Sequence, residues 1–225
     1  MPALSTLDAH ALAHTALFQG ICPERIASLL PCIGSRLEAY DKGDWLLHAG
    51  QTTREFGLVL SGSVLVQTTD VWGDTSLLAH VTQGKAFGEV YACLPEEPLF
   101  VDVVAAEPTQ VLFADAAKVL HPCANACPGH QSLSNNLLVA LARQSLSLAR
   151  RSVHTAPKTI RGKVLAYLSD QARACGSPSF EIALNRQQLA HYLGVDRSAL
   201  SAELSRMRAD GLIEFERGHF ALLDV

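Results

Sequence analysis

Between residues 185 and 211 the chain reads NRQQLAHYLGVDRSALSAELSRMRADG, and its apolar positions recur at helical spacing in two short blocks. Asn185 has the chemistry of an N-cap, and Leu189 and Leu193, four apart, share one face of the first block. Gly194 permits the left-handed residue that ends this helix, and Asp196 caps the next. In the second block Leu200, Leu204 and Met207 share a face, while Arg197, Ser198, Ser201, Ala202 and Ser205 fall mostly on the opposite side. A solvated face usually carries Glu and Lys; one of Arg and Ser, free of bulky acids, can enter a major groove. The period then shortens. Leu212–Phe215 and His219–Leu223 are β-type runs around Glu216-Arg217-Gly218, a turn with glycine expected at the special position. The pattern predicts a helix-turn-helix followed by a hairpin wing.

The upstream half has a different texture. Residues 4–34 read as short helices broken by Gly20, Pro23 and Pro31. From Arg36 to Ala114 short apolar or alternating runs follow one another: Trp45–Leu47, Phe56–Leu60, Ser63–Thr68, Ser76–His80, Val101–Ala105 and Gln110–Phe113. Turn residues separate them, which predicts a β-sandwich or roll. Asp115–Leu120 has the makings of a helical turn. From about Pro128 to about His154 nothing breaks a helix, and Leu133, Leu137, Leu138, Leu141 and Leu148 give it a wide apolar stripe. Ser134, Gln144 and Ser145 interrupt any strict heptad. A helix this long with such a stripe needs a partner, either its own core or a second copy. Thr155–Thr159 reads as a hinge, because Pro157 disfavours helix in the residue before it. The expected class is α+β, with units at 1–128, 129–156 and 157–225.

Taken together, residues 161–223 resemble the C-terminal DNA-binding domain of the Crp/Fnr superfamily of bacterial transcription regulators, and the upstream half resembles that family's cyclic-nucleotide-binding-type β-roll. The resemblance implies a long dimerisation helix at 129–156 and a homodimer on double-stranded DNA with twofold symmetry. In such a dimer the second helices of the two copies read half-sites about one helical turn apart, ~34–36 Å. It also implies RNA polymerase as a partner, and action in the cytoplasm. By this resemblance Arg197 is the candidate for a bidentate contact to guanine, and Ser198 and Ser201 for base edges. Arg186, Gln187 and Arg217 are candidates for phosphates. Well-known members carry Glu just after the position of Arg197, and Arg where this chain has Ala202, so their operator sequence does not transfer.

Gly84-Lys85-Ala86-Phe87-Gly88-Glu89-Val90 resembles the start of the family's phosphate-binding cassette. Nucleotide binders place Arg-Ser ten and eleven residues after that Glu; here those positions are Leu99 and Phe100. A cyclic phosphate carries a full charge, which a pocket of Gly88, Glu89, Leu99 and Phe100 would desolvate without compensation. The expected effector is therefore not cyclic AMP, and the cofactor stays unknown. The one dense ligand cluster is Cys123-Ala-Asn-Ala-Cys127-Pro-Gly-His130, a C-x3-C-x2-H set open to a metal, haem, a thiol redox role or none.

Composition trims the remaining classes. No apolar run reaches the ~18–20 residues of a membrane span. Formal charge is −4 overall, yet residues 1–154 hold 9 Lys/Arg against 14 Asp/Glu and residues 155–225 hold 9 against 8, so the DNA-facing part is the less acidic. The six cysteines are scattered, which argues against a disulfide framework. Two alternatives remain. One is a cyclic-nucleotide-responsive regulator. The other is a cupin-like metal-dependent enzyme, for which His48 and His80 stand too far apart to form the usual paired-His motif.

Overall fold

The computed structural model describes residues 9–121 and 128–223. Its contacts divide the chain into two compact units, Met1–Ala142 and Arg143–Val225.

The first unit opens with helices α1 (Ala9–Ala13) and α2 (Pro23–Cys32). Eight strands follow: β1 (Arg36–Tyr40), β2 (Trp45–Leu47), β3 (Glu55–Ser61), β4 (Ser63–Thr69), β5 (Thr75–Thr82), β6 (Ala86–Phe87), β7 (Asp102–Ala105) and β8 (Thr109–Asp115). A short helix α3 (Glu89–Cys93) sits between β6 and β7, and α4 (Ala116–Leu120) leads to the long α5 (Pro128–Thr155). The strands form two antiparallel four-stranded sheets, ordered β1-β8-β3-β6 and β2-β7-β4-β5. All six runs expected as strands are strands. Three elements escaped the pattern: β1, whose Arg-Leu-Glu-Ala-Tyr carries two charges in five residues, and β6 and α3, which are too short to show a period.

Alternation in β8 explains the layering. Val111 and Phe113 point into the core between the sheets with Val59, Val64, Phe87 and Val103. Leu112 and Ala114 point the other way, into a core shared with Phe56, Leu58 and the helices. The apolar stripe expected on α5 divides accordingly. Leu133 and Leu137 are fully buried in that helical core and Leu141 packs at its edge, whereas Leu138 and Leu148 are each 62% exposed.

In the second unit, the last part of α5 joins α6 (Ile160–Cys175), β9 (Ser179–Glu181), α7 (Arg186–Leu193), α8 (Arg197–Ala209), β10 (Ile213–Glu216) and β11 (His219–Leu222). Arg151 and His154, near the end of α5, make their contacts with α6 and α7. The wing is a three-stranded antiparallel sheet, β10-β11-β9, rather than a bare hairpin. Its core contains Leu189, Leu193, Leu200, Leu204 and Met207, as the helical spacing requires, with Val164, Leu168, Ile213 and Phe220.

Gly57 in β3 marks a close approach between strands. A Cβ there would lie 2.2 Å from Cζ of the buried Phe87 ring. Gly57→Ala is therefore expected to lower stability by about 1–3 kcal/mol through overpacking, read as a shift in the urea midpoint with an unchanged slope.

Candidate nucleic-acid interface

The turn between α7 and α8 is set by local chemistry. Asn185 and Gln188 form a reciprocal capping box: the Asn185 side chain accepts from Gln188 N at 2.9 Å, and Gln188 Oε1 accepts from Asn185 N at 2.9 Å. The Asn-x-x-Gln spacing was present in the sequence as a signal beyond the single cap. Gly194 ends α7 at φ 61, a left-handed conformation that a residue with a Cβ adopts at a cost. Asp196 then caps α8, accepting from Ser198 N at 2.8 Å and Ala199 N at 2.9 Å. These bonds, the Ser198 hydroxyl first, hold its carboxyl below the ordinary value.

Leu200, Leu204 and Met207 anchor α8 with no exposure at all. Arg197, Ser198, Ser201, Ala202 and Ser205 are all exposed. Among the described residues Arg197 makes no ion pair. The serine hydroxyls are engaged: Ser198 Oγ donates to Asp196, Ser201 Oγ to Arg197 O at 3.0 Å and Ser205 Oγ to Ser201 O at 3.1 Å. Their lone pairs stay outward as acceptors.

The one carboxylate of α8, Glu203, is turned away from this surface. Its side chain is 10% exposed and meets Arg161 Nε at 2.7 Å and Arg206 Nη2 at 3.1 Å; Arg161 also reaches Asp210 at 2.7 Å. The pairing spans 42 residues of sequence, so no local pattern announced it.

The other expected contact residues surround α8. Gln187 is exposed in the first turn of α7. Arg186 is half-buried, its guanidinium over the rings of Phe215 at 5.1 Å and Phe220 at 5.7 Å. Arg208 also lies over the Phe215 ring, 4.0 Å from its centroid. At the wing tip the two-residue turn is Arg217-Gly218, and it is Arg217, at φ 52, that takes the left-handed conformation expected of the glycine.

In the β-roll, Gly88 (φ 77) turns the chain into α3 and Glu89 follows, its carboxyl raised above the ordinary value by burial. Glu89 has no ion pair among the described residues. Leu99 is 2% exposed and held by backbone bonds to Gly50 and Gln51. Phe100 is 70% exposed and stands edge-on to Tyr91, with centroids 5.9 Å apart. The structure therefore separates the two positions: one completes a core, the other faces solvent.

His130 is 2% exposed at the start of α5. Its Nε2 lies 2.6 Å from the Lys118 carbonyl oxygen, and its buried Nδ1 has no hydrogen-bond partner. Cys123 and Cys127 lie outside the described residues. Among the described residues no group of three His, Cys, Asp or Glu side chains could hold a metal. His48 stacks on Trp45 at 4.9 Å, and His80 is exposed on β5. No described helix is long and apolar enough to cross a membrane.

Comparison with known proteins agrees with this division. Residues 37–125 match the family model of the cyclic nucleotide-binding domain, and residues 162–225 match that of the Crp-like helix-turn-helix domain. No curated protein matches the sequence. Among solved structures, the c-di-GMP responsive global regulator CLP from Xanthomonas campestris is 16% identical, with 91% of this chain and 100% of that chain covered and a TM-score of 0.53. The catabolite activator protein of Thermus thermophilus is 24% identical, covering 92% and 93%, with a TM-score of 0.49. DNR from Pseudomonas aeruginosa is 21% identical, covering 96% and 93%, with a TM-score of 0.48. A cyclic nucleotide-binding domain followed by a Crp-like helix-turn-helix makes this chain a member of the Crp/Fnr superfamily, DNA-binding transcription regulators rather than enzymes.

Proposed function

We propose that this regulator is a homodimer that reads a twofold-symmetric operator through α8, under an effector other than cyclic AMP. The outer face of α8 supports the DNA reading. Arg197 stands free at its amino end, suited to bidentate donation to guanine O6 and N7. With their hydrogens committed, Ser198 and Ser201 offer lone pairs to amino groups on base edges, such as cytosine N4 or adenine N6. Gln187, Arg186 and Arg217 hold phosphates around them. RNA polymerase is the partner such a bound dimer meets, and the cytoplasm is where it acts.

A second face of α5 supports the dimer. Val139, Ala142, Leu146, Ala149 and Val153 follow one another at alternating spacings of three and four, and all are exposed, Val139 at 37%, Leu146 at 54% and Val153 at 64%. Ser134, Gln144 and Ser145, which break the leucine stripe, lie off this seam. An exposed apolar seam with heptad spacing is covered at low cost by a second copy of itself.

Two observations bear on the effector. A cyclic phosphate would add charge beside Glu89, which lacks a cation partner among the described residues, and neither Leu99 nor Phe100 supplies one. His130 favours a metal-linked reading. A neutral ring whose Nε2 hydrogen is donated to Lys118 O keeps its lone pair on the unpartnered, buried Nδ1. Metal-ligating histidines have this arrangement, with the far nitrogen donating to a backbone carbonyl. Cys123 and Cys127, the other members of the C-x3-C-x2-H set, lie outside the described residues; by sequence they add thiols of the kind that suit zinc, iron or haem.

Three outcomes are expected. In mobility-shift titrations Arg197→Ala weakens discrimination between the native upstream region and random duplex by about 1–3 kcal/mol, while salt-sensitive binding persists; unchanged preference removes the role of Arg197. Leu146→Glu converts a sedimenting dimer to monomer, whereas a monomeric wild type refutes the assembly. Elemental analysis of freshly purified protein finds zinc or iron, lost in His130→Ala, and calorimetry with cyclic AMP gives no binding heat; a metal-free wild type removes the metal reading.

A further inference from the structure

His154, in the last turn of α5, is used by none of the contacts that face DNA. It is 3% exposed, on a stretch of helix whose residues from 142 to 153 are all exposed. A buried imidazole has two nitrogens to satisfy. Nε2 lies 3.4 Å from Asp170 Oδ2 on α6, and Nδ1 lies 2.8 Å from the Tyr192 hydroxyl on α7. A carboxylate only accepts, so the hydrogen on this edge belongs to Nε2 and faces Asp170, while Nδ1 and the Tyr192 hydroxyl share the other hydrogen bond. Burial raises the Tyr192 hydroxyl above its ordinary value. Tyr167 closes the cluster, edge-on to His154 with centroids 5.5 Å apart and tilted against Tyr192, also at 5.5 Å.

A second residue of the same helix grips the same partner. Arg151 Nε donates to Tyr192 O at 3.1 Å and Nη2 to His191 O at 3.4 Å, with the guanidinium 5.7 Å from the Tyr192 ring centroid. Lys163 of α6 donates to Leu193 O at 3.1 Å. Of the last carbonyls of α7, Tyr192 O and Leu193 O are thus taken by side chains of α5 and α6, and His191 O is shared between Arg151 and the backbone N–H of Gly194 at 3.2 Å. Beyond them Gly194 and Asp196 lead directly into α8. The end of α5 therefore holds the first helix of the helix-turn-helix by its carboxyl end, at the point where the turn begins.

We propose that His154 and Arg151 are positioning residues for DNA recognition: acting through Tyr192, they lock the end of α5 to α7 and so fix the direction in which α8 is presented. This rests on the operator reading above. In a dimer built on α5, that lock sets the separation of the two recognition helices. Breaking it leaves each helix-turn-helix intact but free to swing on the short link from 156 to 159.

Two variants and two readouts test the proposal in the full-length dimer. Tyr192→Phe removes one hydroxyl and leaves the ring packing; His154→Ala removes the whole hub. The first readout needs no DNA. Tryptic cleavage after the exposed Lys158, followed by mass spectrometry, is expected to run roughly tenfold faster in both variants, as local opening is eased by loss of a buried hydrogen bond. The second compares the native upstream region with the same region whose half-sites are pushed apart by a fraction of a helical turn. Wild type discriminates sharply between them; the variants bind both alike, with melting temperatures close to wild type. A merely structural role would lower both affinities together and keep the discrimination. Faster cleavage with discrimination retained overturns the positioning role, and unchanged cleavage overturns the lock. A wild type that binds its upstream region no better than random duplex sinks the operator reading instead, while the cleavage difference persists.

Discussion

A carboxylate on a helix that enters a groove would meet phosphates on both sides, and α8 carries one such group in Glu203. Its removal from that face is the constraint around which the C-terminal unit is arranged. Burying a lone charge is costly, and burial becomes tolerable only when the geometry of a partner is good. Arg161 supplies that geometry from the first turn of α6, with Nε on Glu203 and Nη2 on Asp210, and Arg206 adds a second donor from within α8. Arg161 is itself 38% exposed, so the pair is partly screened and weaker than a dry one. Even so, removing either partner would strand the other. The ion pair thus ties the rotation of α8 about its own axis to α6, with Leu200, Leu204 and Met207 completing the anchor.

With Glu203 inside, the field on the outer face comes from Arg197 and the positive end of the helix dipole. Asp196 partly offsets this as the cap, yet its carboxylate is consumed by three donors, Ser198 N, Ser198 Oγ and Ala199 N. The unit as a whole leans the same way: residues 143–225 hold 12 Lys/Arg against 8 Asp/Glu, and residues 1–142 hold 6 against 14.

What the sequence made legible follows the range of each interaction. The helix-turn-helix could be read because its determinants are local: Asn185, Gly194 and Asp196 act on backbone within a few residues, and Leu189, Leu193, Leu200, Leu204 and Met207 mark its buried face. The alternating strands β3, β4, β7 and β8 were legible for the same reason. β9 was not, because three residues, Ser179–Glu181, become a strand only by pairing with β11 forty positions away. The Arg161–Glu203 pair and the grip of Arg151 and His154 on α7 are equally nonlocal. On α5 the leucines drew attention to one stripe, while the exposed seam carries a single leucine, Leu146, among alanines and valines. That Leu99 and Phe100 are uncharged is plain in the sequence, but their separation into a core residue and a surface residue depends on how the chain between α3 and β7 packs.

The wing tip shows the same tension between a local rule and a task. Sequence chemistry assigns the left-handed position of a tight hairpin turn to glycine, and Gly218 stands next to it, yet Arg217 occupies it at φ 52. Among the described residues it is the only non-glycine with positive φ, a conformation costing on the order of 1 kcal/mol. Nothing crowds Gly218 into its place, since a Cβ there would meet its nearest neighbour, Ile182 O, at 3.4 Å. The strain buys no packing, because Arg217 is exposed. A hairpin selected only for stability would carry glycine one position earlier. Keeping arginine at the apex holds a cation at the farthest reach of the wing, flanked by Glu216 and anchored behind by the stacked rings of Phe215 and Phe220. That placement of a solvent-facing cation, on the element next to α8, suits the phosphate contact proposed above for Arg217.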